Sequence, residues 1–183
     1  MSKLSNKKIA ILATNGFEES ELFEPKKALE DAGAKVDLIS PEEGKLKAWN
    51  HGEWSKEIEV DVPLRKAKVE DYDMLLLPGG VINPDKLRRN EHAVNFVLRF
   101  FKDHKKVAAI CHGAQTMIEA DVVKGRTMTS FFSIKKDLQN AGANWIDSEV
   151  VVDDNLITSR NPDDLQVFSN KIIEELGESK EIN

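Results

Sequence analysis

The stretch VAAICHGAQ, residues 107–115, decides the fold of this chain. The small and β-branched apolar residues 107–110 are typical of the end of a fully buried strand. Gly113 allows a tight turn of the backbone, and residues 116–120 have the pattern of a short helix. Cys111, the only cysteine of the chain, therefore lies on a strand-to-helix turn, which is the geometry of a nucleophile elbow.

This position favours a reactive thiol. Amide N–H groups at a helix N-terminus stabilise an anion, so we expect the pKa of Cys111 to lie below that of a free cysteine. His112 would add to this as a cation or through its backbone N–H, which can face an oxyanion, and its side chain is expected to point away from the thiol's own helix. The alternative is that Cys111 is simply a small buried hydrophobe.

Size and composition predict one soluble domain over residues 1–183, with flexible tails at about 1–7 and 177–183. The net charge of −6 argues against nucleic acid or an anionic membrane as the main partner. A single cysteine excludes an internal disulfide and a cysteine-rich zinc site. We expect neither a cofactor nor a metal. We also expect a cytoplasmic location, because the apolar run 9–13 is too short for a signal or membrane helix.

Hydrophobic patterning predicts a doubly wound α/β domain with a mainly parallel sheet, because strand, helix and strand alternate from the start. The predicted strands are 8–14, 35–40, 54–62 (an edge strand), 73–77, 107–110, 127–130, 149–153 and 155–159, with a loop or hairpin at 41–53. The predicted helices are 18–32, 90–103, 116–120, 133–141 (capped by Ser133) and 163–176.

Three segments with reactive or special residues follow predicted strands. Glu21 lies in the helix after the first strand, Gly79 and Gly80 follow the strand 73–77, and Cys111 follows its own strand. Ligands of such sheets bind outside the carboxyl ends of the strands. The fold would therefore bring these segments together.

Four sequence motifs together resemble the ThiJ/PfpI superfamily: AICHG at 109–113, LPGG at 77–80, NGFEESE at 15–21 and TSRNPDDL at 158–165. The resemblance spans nearly the whole chain and is greatest to the branch of PfpI-type intracellular cysteine proteases and glyoxalase–deglycase enzymes. It implies a flavodoxin-like three-layer sandwich that assembles as a homodimer or homohexamer.

The resemblance also implies a set of site residues. Cys111 matches the nucleophile, Glu21 the carboxylate that shares a proton with it, and Gly80 the backbone donor of the oxyanion hole. His112 matches a histidine that pairs with an acid from a neighbouring subunit, and Asp85 stands where that acid occurs. The chain departs from the family pattern twice, with Ala114 in place of a common Pro and Phe131 in place of a frequent Tyr, which removes a proton donor.

Each of these residues also has a purely structural interpretation. Glu21 could be a solvated residue of the first helix, and Asp85 could begin a short helix after Pro84. Glu18 and Glu19 are expected to be helix-start charges. The remaining histidines are expected at the surface and the tryptophans in packing contacts: His51, His92, His104, Trp49, Trp54 and Trp145.

Three functions are consistent with the sequence. In the first, Cys111 attacks a small aldehyde such as methylglyoxal, or a glycated protein or peptide, and Glu21 moves a proton so that lactate is formed without glutathione. In the second, Cys111, His112 and an intersubunit Asp85 form a cysteine peptidase. In the third, the protein is a redox sensor or chaperone whose switch is oxidised Cys111.

Two further classes of protein are excluded. A glutamine amidotransferase needs a catalytic histidine late in the chain, whereas His112 is the last histidine. A dinucleotide or P-loop site needs a glycine pattern that the first turn, 15–18, does not have.

Overall fold

The computed structural model describes residues 2–178. Its strands are β1 (Lys8–Leu12), β2 (Lys35–Ser40), β3 (Lys45–Asn50), β4 (Glu53–Glu59), β5 (Val62–Pro63), β6 (Met74–Leu77), β7 (Lys106–Ile110), β8 (Thr127–Met128), β9 (Asn144–Trp145), β10 (Val151–Asp153) and β11 (Leu156–Ser159). Its α-helices are α1 (Glu19–Asp31), α2 (Ile82–Arg88), α3 (Glu91–Lys102), α4 (Gln115–Glu119), α5 (Lys135–Asn140) and α6 (Leu165–Gly177).

A seven-stranded sheet lies at the centre, in the order β10-β11-β7-β6-β1-β2-β5. All neighbouring strands are parallel except β10, which runs antiparallel to β11. The predicted doubly wound α/β fold is confirmed. Because β1, β6 and β7 are adjacent and parallel, the segments that follow their carboxyl ends emerge side by side.

Both faces of the sheet are covered, which explains why its central strands are apolar throughout. Alternate residues of β1, β6 and β7 enter two separate cores, with Ala10, Leu75 and Val107 in one and Ile9, Leu76 and Ala108 in the other. Helices α3 and α4 contribute to the first core, and α1 and α6 contribute to the second. None of the helices within residues 2–178 combines the length and apolar composition that crossing a membrane requires.

The predicted edge strand 54–62 is wrong in its placement. Strand β4 pairs with β3 in a separate antiparallel hairpin, and the edge of the main sheet is the short strand β5. Strand β4 is mostly exposed on both faces and packs against the second core through Ile58. The indoles of Trp49 and Trp54 meet edge to face across the hairpin, with centroids 5.2 Å apart.

Three local expectations also need correction. Ser133 does not cap α5: Ile134 holds that position, and Ser133 lies in the 3-10 turn before the helix. The short helix near Asp85 begins at Ile82, before Pro84. The segment expected to be a flexible tail, 1–7, contains Leu4, which is fully buried in the second core. Residues 179–183 of the other expected tail lie outside the described residues, and Gly177 is still helical.

Candidate active site

Cys111 begins a 3-10 turn, Cys111–Ala114, directly after β7. Its φ of 61° lies in the left-handed region, which is uncommon for a residue with a Cβ and is a form of strain found at functional sites. Gly113 is required for this turn, because a Cβ there would lie 2.5 Å from the carbonyl oxygen of Leu77. The predicted elbow is therefore present, held close to the end of β6.

The Pro78–Gly80 loop, which follows β6, brings the backbone against the thiol. A Cβ on Gly79 would lie 2.6 Å from Oε1 of Glu21 and 2.8 Å from Cβ of Cys111, so only glycine fits between these two side chains. Gly80 has a φ of 81°. The backbone N–H groups of Gly80 and His112 act on the Cys111 sulfur and lower the pKa of the thiol.

Glu21 is completely buried, so its interpretation as a solvated helix residue is wrong. Its Oε1 accepts a hydrogen bond of 3.1 Å from the Gly79 N–H, and its Oε2 has no hydrogen-bond partner within the described residues. Burial, together with the nearby Glu18 carboxylate, raises the pKa of Glu21 to about 8. At neutral pH Glu21 is therefore mainly a neutral carboxylic acid beside the nucleophile.

The expectation that Cys111 has a lowered pKa needs correction. Burial raises the pKa of the thiol and the Glu21 carboxylate raises it further, whereas the N–H groups of His112 and Gly80 lower it. The sequence argument counted only the N–H groups and the helix dipole. The thiol is in fact 7% exposed, and the helix that follows, α4, has only five residues. Loss of the thiol proton therefore needs a base close by.

His112 is the basic side chain that lies against the thiol. Its Nδ1 lies 3.2 Å from Sγ of Cys111, and its Nε2 lies 3.0 Å from Oγ of Ser133. The sequence predicted only that this side chain points away from the helix after the thiol, and it gave no sign of this contact with the thiol itself. Burial lowers the pKa of His112, so the ring is neutral at neutral pH and does not act as a cation.

The two departures from the family pattern have different consequences. Ala114 is buried in the first core, within the 3-10 turn. Phe131 stacks on the His112 ring, with centroids 4.8 Å apart and an angle of 27° between the planes. Phe131 therefore holds the imidazole by its face instead of offering a hydroxyl.

Asp85 does not join this group within one chain. Its side chain on α2 is 65% exposed and lies 4.0 Å from the guanidinium of Arg89. The structure therefore brings together four of the five expected residues, Cys111, His112, Glu21 and Gly80, and leaves Asp85 at the surface. His51, His92 and His104 are exposed, as expected.

Sequence reasoning missed two residues that build the site. Asn83 is fully buried on α2: its Oδ1 accepts from the Thr14 N–H at 2.8 Å, and its Nδ2 donates to the carbonyl oxygens of Pro78 and Gly79 at 3.0 and 3.2 Å. It ties the end of β1 to the Pro78–Gly80 loop. The other missed residue is Ser133, whose position before a helix had suggested a cap.

No cluster of three or more His, Cys, Asp or Glu side chains that could hold a metal ion occurs within residues 2–178. The chemistry that the described side chains offer is that of a thiol nucleophile with a neutral base, a neutral acid and backbone N–H donors.

Comparisons with known proteins agree with this fold. The profile of the DJ-1/PfpI family matches residues 7–175. A Bacillus subtilis relative named "Putative cysteine protease YraA" is 45% identical over 164 residues, which cover 90% of this chain and 95% of the relative.

Solved structures give the same result. A two-domain protein from Anabaena variabilis, with DJ-1/ThiJ/PfpI-like and ferritin-like domains, superposes with a TM-score of 0.89 and 37% identity, covering 97% of this chain and 52% of the larger protein. This chain thus spans about half the length of that protein. DJ-1beta from Drosophila melanogaster superposes with a TM-score of 0.85 and 28% identity, over 93% of this chain and 90% of its own. On these grounds the chain belongs to the DJ-1/PfpI family.

Proposed function

We propose that the protein is a cysteine-dependent enzyme that converts small reactive aldehydes, with methylglyoxal as the representative substrate and lactate as the product. The observation that carries this proposal is the neutral Glu21 carboxyl buried against Cys111. An isomerisation of this kind needs a nucleophile and one group that can both give and take a proton. A carboxyl with a pKa of about 8 is suited to both directions near neutral pH.

The reaction begins at Sγ of Cys111. The thiol proton leaves by way of Nδ1 of His112, Sγ bonds to the aldehyde carbon, and the carbonyl oxygen takes the proton of Glu21 to give a hemithioacetal. During the addition, the N–H groups of Gly80 and His112 would stabilise the negative charge that develops on this oxygen.

Glu21, now a carboxylate, then removes the hydrogen of the former aldehyde carbon and returns it to the neighbouring ketone carbon. The hydroxyl proton of the first carbon moves to the oxygen of the second, which leaves a thioester of lactic acid on Cys111. Water attacks this thioester, its hydroxyl bonds to the acyl carbon and its second proton goes to the Glu21 carboxylate. The carbon–sulfur bond breaks, and a proton returns to the sulfur by way of His112. The net change is the addition of one water to methylglyoxal. A glycated amine or thiol would enter by the same first attack.

The test is a direct assay with matched variants. Wild-type protein should consume methylglyoxal and release an equal amount of lactate without glutathione, and Cys111→Ser should abolish this. Glu21→Gln should lower kcat by about 100-fold or more, because the proton shuttle is lost. Glu24→Gln changes an exposed acid on the same helix and should leave kcat within about twofold. Full activity in a folded Glu21→Gln variant, or no lactate from the wild type, contradicts the proposal.

A peptidase is the second candidate, because Nδ1 of His112 lies 3.2 Å from Sγ and a relative carries the name of a cysteine protease. Peptide cleavage needs His112 to take the thiol proton and then give it to the leaving amine. An Asp85 carboxylate from a second copy would support this role, so this candidate requires a homodimer or homohexamer. Assays with a fluorogenic peptide beside methylglyoxal separate the two candidates.

A further inference from the structure

The imidazole of His112 links a buried thiol to an exposed hydroxyl. Cys111 is 7% exposed, whereas Ser133, on the other side of the ring, is exposed to solvent. The contacts are 3.2 Å from Sγ to Nδ1 and 3.0 Å from Nε2 to Oγ. We propose that Cys111, His112 and Ser133 form a proton relay, through which the thiol exchanges its proton with water inside a single subunit. The proposal rests on the proposed function only in treating Cys111 as the nucleophile.

The relay follows from the neutral state of His112. A neutral imidazole has one N–H and one lone pair, so its two nitrogens must play opposite roles. Beside a thiol, Nδ1 accepts the S–H and Nε2–H donates to Ser133. Beside a thiolate, Nδ1–H donates to the sulfur and Nε2 accepts from the Ser133 hydroxyl. A serine hydroxyl donates and accepts equally well, so Ser133 fits both states, whereas an ionised carboxylate accepts only.

The proton transfers balance. The S–H bond breaks and an Nδ1–H bond forms, while the Nε2 proton passes to Oγ of Ser133 and the hydroxyl proton of Ser133 passes to water. The thiol becomes a thiolate, one proton reaches the solvent, and His112 stays neutral with its tautomer changed. His112 thus needs no charge in a site where burial disfavours one.

The surroundings of the thiol make such a route useful. Glu21, on α1, is the ionisable carboxyl that acts on the thiol, and Glu18 acts on Glu21 in turn. Glu21 is fully buried and already protonated near neutral pH, so it is a poor acceptor for the thiol proton. Phe131 covers one face of the ring, and its stacking keeps the two nitrogens aligned with their partners.

The first experiment measures alkylation of Cys111 by iodoacetamide in the folded protein without substrate. Ser133→Ala should slow alkylation by about tenfold or more near neutral pH and shift its pH profile upward, because Nε2 of His112 loses the hydroxyl that donates to it in the thiolate state. Ser133→Thr keeps a hydroxyl and should restore most of the rate. Ser5→Ala, an exposed serine that bonds Ser2, should change nothing. An unchanged rate in Ser133→Ala, or no rescue by threonine, overturns the relay.

The second experiment needs no variant. ¹⁵N NMR of histidine-labelled wild-type protein reports which ring nitrogen carries the proton. As pH is raised and thiolate absorbance grows, the His112 proton should move from Nε2 to Nδ1. The exposed histidines His51, His92 and His104 serve as internal references. A charged His112 ring, or the same protonated nitrogen in both states, contradicts the relay. Neither readout depends on aldehyde turnover, so the relay and the proposed function can fail separately.

Discussion

Glu21 shows how strongly one buried residue can couple function to stability. Its carboxyl has a usual pKa of 4.5, which the fold raises to about 8. Between these values the folded chain keeps a proton that the unfolded chain has released, so the free energy of unfolding falls as pH rises from about 4.5 to about 8. Below about 4.5 both states are protonated and this loss is absent.

Glu21→Gln should therefore become more stable relative to wild type as pH rises, because glutamine cannot ionise. We expect the difference in Tm between variant and wild type to grow in favour of the variant from about pH 5 to about pH 8.5. Thermal unfolding followed by circular dichroism measures it. Glu24→Gln, exposed on the same helix, should show no such trend. A difference that stays constant with pH would mean that Glu21 is ionised in the folded protein.

Individual residues also show where sequence reasoning succeeds and where it stops. Cys111 on a strand-to-helix turn could be located from the sequence, because small apolar residues followed by Gly113 permit few other structures. The raised pKa of the thiol could not be predicted from the sequence. It depends on burial of the thiol and on Glu21, which lies far from Cys111 along the chain. The side-chain direction of His112 was also inaccessible, because it depends on Phe131 and Ser133, about twenty residues away in sequence.

At the level of elements, α2 has a structural role that its seven residues did not suggest. The helix places Asn83 where it bonds the end of β1 and the Pro78–Gly80 loop together. These bonds hold Gly80 and Gly79 beside the thiol. The sequence gives little sign of this, because asparagine before proline is also common in turns, and only the buried position of Asn83 distinguishes the two.

Asn83→Ala should lower the free energy of unfolding by about 3 kcal/mol, because it leaves the Thr14 N–H and the Pro78 carbonyl without their Asn83 partner and removes one of the two hydrogen bonds to the Gly79 carbonyl. Asn83→Asp keeps the acceptor for Thr14 but loses both donors, so it should also loosen the Pro78–Gly80 loop and reduce aldehyde turnover. Urea unfolding and kcat/KM measure the two effects. Asn95→Ala, exposed on α3, is the control. Wild-type stability in Asn83→Ala would show that the loop is held by other contacts.

At the scale of the whole molecule, the site exists because three parallel strands are adjacent. The order β7-β6-β1 places the elbow, the Pro78–Gly80 loop and α1 at one edge of the sheet. Alternation of strands and helices was enough to predict this edge, since parallel strands with right-handed crossovers leave few topologies. The β3–β4 hairpin was harder to place, because its alternating charged residues do not show whether it joins the main sheet.

The assembly of the protein matters for Asp85, because this residue could reach His112 only in a second copy of the chain. Ser133 already contacts Nε2 of His112 within one chain, so the proposed relay needs no acid from a second copy. An acid from a second copy would matter for peptide cleavage, in which an imidazolium must persist long enough to protonate the leaving amine.

We expect at least a dimer by light scattering at micromolar concentration. Asp85→Ala should lower peptidase activity by about tenfold or more and leave aldehyde turnover within about twofold. Asp31→Ala is the matched control, since Asp31 is equally exposed at 65% and has a similar ion pair four residues away. A monomer in solution removes the shared acid, and equal loss of both activities in Asp85→Ala would show that the two reactions use one catalytic arrangement.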